Sequence, residues 1–209
     1  MALKPYNTIR QKSEIEIIIN KSRFIGRAYP VKSEEEALSI LAEIRKRHYD
    51  ATHNCYAYSV RENQIARFSD DGEPSGTAGM PMMEVLKAKQ LTDTLVIVTR
   101  YFGGILLGAG GLVRAYSRST ADALDEAKPI TFSSGTKIMI KLDYSRFNSV
   151  EDFIRQNADI KKIEYFADIT LEVIIKTEEA DKFCLQLTEK TDGRAVYELI
   201  GEDYMESDI

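Results

Sequence analysis

The sequence predicts an α+β protein of two domains, residues 1–128 and 129–209, the second with the ferredoxin-like order βαββαβ. Three observations carry this reading. Segments with strand alternation and segments with helical spacing are interspersed through the first 128 residues. Pro129 punctuates the chain directly after a long helical pattern. Beyond it the pattern runs strand, helix, strand, strand, helix, strand, without a flexible linker.

In the first domain SEIEIII (13–19) opens with alternation and ends in β-branched residues, which marks a strand. SRFIGRAYPV (22–31) reads as a second strand after a bend at Asn20-Lys21. Ser33 and Glu36 match a capping box, and Ala37, Leu38, Leu41 and Ile44 give helical spacing, so a helix is expected to end near His48. HNCYAYSV (53–60) alternates as a strand and pairs with 64–69 across a turn at Glu62-Asn63. A loop over 70–81 and a helix over 82–90 follow. TLVIVTRYF (94–102) is nearly all apolar, as expected of an interior strand. Glycine turn 103–111 then opens a helix from about Leu112 to Ala127. In the second domain the expected elements are strand 135–143, helix 148–157, strands 160–166 and 168–176, helix 178–190 and strand 194–200. The acidic end GEDYMESDI is expected to fray.

Composition narrows the function classes. Of 209 residues, 44% are hydrophobic and 29% charged, which is ordinary globular usage. No apolar run has the length of a membrane span, and the N-terminus lacks the order of a secretory signal, so the expected location is cytoplasmic, away from membranes. Cys55 and Cys184 then read as free thiols. The net charge of −5 is unevenly spread: residues 1–128 carry 18 basic and 16 acidic side chains, residues 129–209 carry 10 and 17. Neither half is a basic arm, so any RNA contact needs a local patch. The acidic second domain suits a protein partner better.

Eight of the 12 glycines fall between residues 70 and 118, in two clusters that each run into a helical pattern. A glycine turn opening a helix leaves N–H groups facing outward at the positive end of the helix dipole, a natural seat for phosphate. In the second cluster Gly103, Gly104, Gly108, Gly110 and Gly111 stand beside Arg100, Arg114 and Arg118. Three guanidinium groups near one such turn fit a nucleic-acid backbone or a nucleotide, with Tyr101, Phe102 and Tyr116 as stacking faces. The competing reading is a tight crossover whose glycines serve packing.

In the first cluster Asp70, Asp71 and Glu73 stand beside Ser75 and Thr77. These carboxylates read either as hard ligands for Mg²⁺ beside a phosphate or as solvated acids and arginine partners, with Ser75 and Thr77 capping the next helix. His48, His53 and Cys55 raise a zinc or Cys–His reading. With two histidines and no second cysteine nearby, a hydrogen-bonded His53 is the simpler expectation, and no metal is expected. No Walker A or G-x-S-x-G sequence occurs, and no cofactor is expected.

DATHNCYAYSV (50–60), DDGEPSGTAGMP (70–81) and VTRYFGGILLGAGGLVRAYS (98–117), in that order, resemble the signature of the YigZ/IMPACT family. The resemblance implies an N-terminal domain similar to the second domain of ribosomal protein S5, then a ferredoxin-like domain similar to domain V of elongation factor G. It implies a role in translation regulation, with ribosome or RNA as the partner of the first domain and a regulatory protein as a further possible partner. The eukaryotic relatives act through an added N-terminal binding domain without counterpart here, so their kinase-pathway role is not carried over. Two alternatives stand beside this one: an enzyme acting on a nucleotide or phosphorylated metabolite on the S5-like fold, and a protein-interaction module without nucleic acid.

Overall fold

The computed structural model describes residues 3–208. Two compact units emerge, Tyr6–Thr131 and Phe132–Ser207, the first joined by Asp208 and the second by residues 3–5. Among the described residues no helix is long and apolar enough to cross a membrane.

The first unit begins with a short strand β1 (Tyr6–Ile9), then β2 (Ser13–Ile19), β3 (Ser22–Pro30), helix α1 (Glu34–Arg47), β4 (His53–Val60), β5 (Ile65–Ser69), α2 (Gly79–Ala88), β6 (Thr94–Tyr101) and α3 (Ala109–Glu126). The sequence reading missed β1. Four residues carry too little pattern, and tertiary bonds hold them: Arg10 N donates to the Lys128 carbonyl and Thr131 Oγ1 to Asn7 Oδ1.

The sheet order is β2-β3-β6-β4-β5, antiparallel throughout. β6 lies at its centre and is buried on both faces, as its apolar run requires. One face carries Val96, Val98, Cys55 and Ala57 against α2 and α3; the other carries Leu95, Ile97, Tyr58 and Val60 against α1. Ser33 caps α1 as read, its Oγ accepting from Glu36 N. The Glu36 carboxylate reaches one residue further back, to Lys32 N, than a standard box.

Two helix starts differ from the reading for one reason. α2 begins at Gly79 rather than 82, and α3 at Ala109 rather than 112. Pro81 and Gly110-Gly111, read as loop, lie in first turns, where N–H groups have no intrahelical acceptor and proline is tolerated.

The second unit contains most of β7 (Pro129–Leu142), then α4 (Tyr144–Asn157), β8 (Asp159–Tyr165), β9 (Ile169–Lys176), α5 (Ala180–Lys190) and β10 (Val196–Asp208). β10 pairs with β7, β7 with β9, and β9 with β8. That is the spatial order 4-1-3-2 of the ferredoxin-like arrangement. Phe147, Val150 and Ile154 of α4 and Phe183 and Leu187 of α5 bury against Ile138, Ile140, Leu171 and Val173 of the sheet.

β7 starts six residues before the expected 135. Proline is admissible as the first residue of a strand, and Pro129 occupies that place. α4 starts four residues early because Asp143 caps it, accepting from Arg146 N. The acidic end does not fray as far as Asp208: it forms the second half of β10, where Asp203 pairs with Lys137 at 3.0 Å. Ile209 lies outside the described residues.

Candidate functional site

Strand pairing places His53 of β4 directly opposite Arg100 of β6, on the sheet face covered by α2 and α3. Both helices start at this end of the sheet. The loop before α2 and the turn before α3 therefore converge over His53 and Arg100. Between them lies a cleft of about 350 Å³ lined by Thr52, His53, Glu73, Pro74, Arg100, Phe102, Leu106, Leu107, Gly108, Ala109 and Leu112.

Arg100 does not stand free at the mouth to grip an anion, as the sequence reading expects. Its side chain is 6% exposed and its Nη1 donates to Glu73 Oε1 at 2.6 Å, Glu73 being 2% exposed. Phe24 and Phe102 flank the guanidinium with ring centroids 5.4 and 5.5 Å away. The expected solvated or metal-holding acid is thus the inner partner of a buried pair that forms the cleft floor. Tyr116, expected as a stacking face, is buried as well and donates to the same Glu73 Oε1 at 2.7 Å. Burial pushes its hydroxyl far above the ordinary tyrosine range, which keeps it a donor.

The three acids of the loop serve three different neighbours. Asp70 Oδ1 accepts from Ala78 N and Gly79 N, and its Oδ2 from Gly76 N. It caps α2 from eight residues away; Ser75 is exposed and Thr77 Oγ1 donates to the Pro74 carbonyl, so neither does the capping expected of it. The Asp71 carboxylate takes Arg45 at 2.6 Å and Asn54 N at 2.7 Å. Arg45, in the last turn of α1, is therefore a structural partner of this loop. Among the described residues no group of three or more His, Cys, Asp or Glu is arranged to hold a metal ion.

His53 Nδ1 lies 2.7 Å from the Asp71 carbonyl oxygen. A carbonyl only accepts, so Nδ1 carries the proton and Nε2 of the neutral ring is an acceptor. Nε2 lies 3.9 Å from Glu73 Oε2. His48 belongs elsewhere: Arg27 Nη2 stands 2.8 Å from its Nε2 and Tyr101 Oη 2.9 Å from its Nδ1. Burial first, then the Arg27 charge, holds the His48 ring below the ordinary histidine range. Cys55 Sγ donates to the Asp70 carbonyl, and burial pushes its thiol far up, so it is not a nucleophile paired with histidine.

The glycine turn divides its labour. A side chain on Gly103 would overlap the backbone of Lys21 and Ser22, so this glycine serves close packing. Gly104 turns the chain in open space with φ +82°. Gly108 precedes α3 with φ 70° and ψ 165°, a conformation reserved for glycine. No side chain caps α3, and among the described residues the N–H groups of Ala109, Gly110 and Gly111 meet no acceptor. Arg114 is exposed and folds back to this turn, its Nη1 3.5 Å from where a Cβ on Gly110 would sit. Arg118 does not join it. It lies nine residues beyond Ala109, about 13 Å along the axis at the usual rise, and pairs with Asp122 at 3.5 Å. Phe102 at 46% and Leu106 at 84% exposed stand at the cleft mouth. The sequence reading missed Thr52, Pro74 and the leucines of the cleft, because apolar loop residues carry no periodic signal.

The model of the Impact N-terminal domain matches residues 20–124, the part that holds this site. A second model, described as a domain of unknown function (DUF1949), matches residues 140–194. The IMPACT family member YvyE of Bacillus subtilis is 42% identical over 195 residues, covering 92% of this chain and 90% of that protein. The IMPACT family member YigZ of Escherichia coli is 33% identical over 179 residues, covering 84% and 88%. A solved structure described as the crystal structure of a hypothetical protein superposes with a TM-score of 0.59 at 30% identity, over 95% of this chain and 98% of that one. Similarity over most of the length of both chains, with the Impact N-terminal domain model matching half of this one, means that the chain belongs to the IMPACT family.

Proposed function

We propose that this protein is a translation-associated regulator that binds RNA, free or on the ribosome, through the glycine turn and cleft of its first unit. The observation that carries the reading is the uncapped start of α3: among the described residues three backbone N–H groups have no acceptor, and Arg114 Nη1 lies beside Gly110. Such a group of amides at the positive end of an 18-residue helix favours a phosphate. Phe102 beside the turn offers a face on which a base can stack. The pairing of an S5-like domain with a ferredoxin-like one adds an analogy to proteins that work on the ribosome. Arg100 serves as the floor of the site and not as its charge, since Glu73 already neutralises it.

Co-sedimentation with ribosomes, together with binding to single-stranded RNA in a salt series, tests this. The wild type is expected to bind with an affinity that falls as salt rises, and Arg114→Ala to lower affinity and reduce the salt slope by about 1. A wild type that binds neither ribosomes nor RNA at low salt rejects the reading. Retention on ribosomes after RNA-binding variants have lost free RNA would place the contact on a ribosomal protein instead.

A further inference from the structure

We propose that His53 Nε2 and Glu73 Oε2 form a hydroxyl-reading pair in the cleft, which takes the 2′-hydroxyl side of a ribose and so separates RNA from DNA. This rests on the RNA-binding reading above and names what that site selects. Both atoms are acceptors with nothing to accept. In the neutral ring His53 Nε2 is the acceptor, because the Asp71 carbonyl holds the proton on Nδ1. Glu73 spends Oε1 on Arg100 and Tyr116, and among the described residues no donor reaches Oε2. The two bare atoms lie 3.9 Å apart on the wall and floor of one cleft. Oε2 is the Glu73 oxygen left to face the cleft, so a ligand hydroxyl placed there finds an acceptor that no protein group occupies.

The charge balance decides which donor. Arg100 cancels the Glu73 charge, so the cleft floor holds no unbalanced negative charge to attract an ammonium group. A neutral hydroxyl is the better match. Phosphate is excluded from the same spot, since its oxygens only accept. It goes to the amides at the start of α3, of which that of Ala109 lies on the rim of this cleft. A sugar hydroxyl on the floor, a phosphate at the helix start and a base against Phe102 together describe one ribonucleotide of a chain.

The test compares three single-stranded 10-mers of one sequence: RNA, DNA and 2′-O-methyl RNA. The wild type is expected to bind RNA about ten-fold more tightly than the other two, the worth of one well-placed hydrogen-bonded hydroxyl. His53→Ala is expected to lower RNA affinity more than DNA affinity and so bring the RNA-to-DNA ratio to about 1, and His53→Gln, which retains an acceptor, to restore part of the ratio. Thermal melting of each variant checks folding, since His53 is an edge residue of the cleft and not a core one. Equal wild-type affinity for RNA and DNA, or a ratio that survives His53→Ala, overturns the hydroxyl-reading pair. If both polymers still lose affinity in Arg114→Ala, the RNA-binding reading stands without it; if neither polymer binds the wild type at all, both fall.

Discussion

The first unit holds two glycine-rich entries into helices, and they are finished in opposite ways. Before α2 the loop folds Asp70 back so that one carboxylate accepts three backbone N–H groups. Before α3 the corresponding groups meet no side chain among the described residues, and the charged group beside Gly110 is a cation, Arg114. The same local chemistry is thus satisfied internally at one site and left for an outside anion at the other. Glycine content alone does not distinguish them. The presence of an acid nine residues before the helix does.

Breaking the closed side should cost the most. Arg100→Ala leaves Glu73 buried without its partner and is expected to lower unfolding free energy by about 3–5 kcal/mol in urea titration. Asp70→Ala strips the acceptor from two N–H groups at the start of α2 and one in the loop before it, with an expected loss of about 2–3 kcal/mol by the same measurement. The open side should respond less in stability and more in binding. Gly108→Ala forces a side chain into φ 70° and ψ 165° and is expected to cost about 1–2 kcal/mol. Arg114→Ala, on an exposed helix position, is expected to change stability by less than about 0.5 kcal/mol while weakening anion binding. The smallest effect concerns Cys55. With its thiol pushed up by burial behind the closed loop, it should resist iodoacetamide at pH 8 in the native protein and react fully in urea, read by mass spectrometry.

The order of elements was legible from the chain because the periods are clean. SEIEIII, TLVIVTRYF and the capped helix after Ser33 each follow one rule from end to end. Boundaries at Pro81, Gly110 and Pro129 were not, since these residues serve equally as loop punctuation and as first residues of a helix or strand. At the site, the turn and Arg114 could be read locally. The fate of Arg100 could not: whether an arginine grips a ligand or supports a wall depends on Glu73, which is 27 residues away in sequence. His53 entered the reading as a possible hydrogen-bonded residue, but only the Asp71 carbonyl fixes which of its nitrogens is left to face the cleft.

Asp71 links the cleft to the outside of the unit. Its carbonyl orients the imidazole, while its carboxylate is tethered to Arg45, near the exposed end of α1, and to Asn54 N. Any polyanion that seizes Arg45 competes for that tether and slackens the backbone on which the histidine hangs. Occupancy of a surface helix would thereby be felt as a change in ring orientation at the edge of the cleft, transmitted through a single residue.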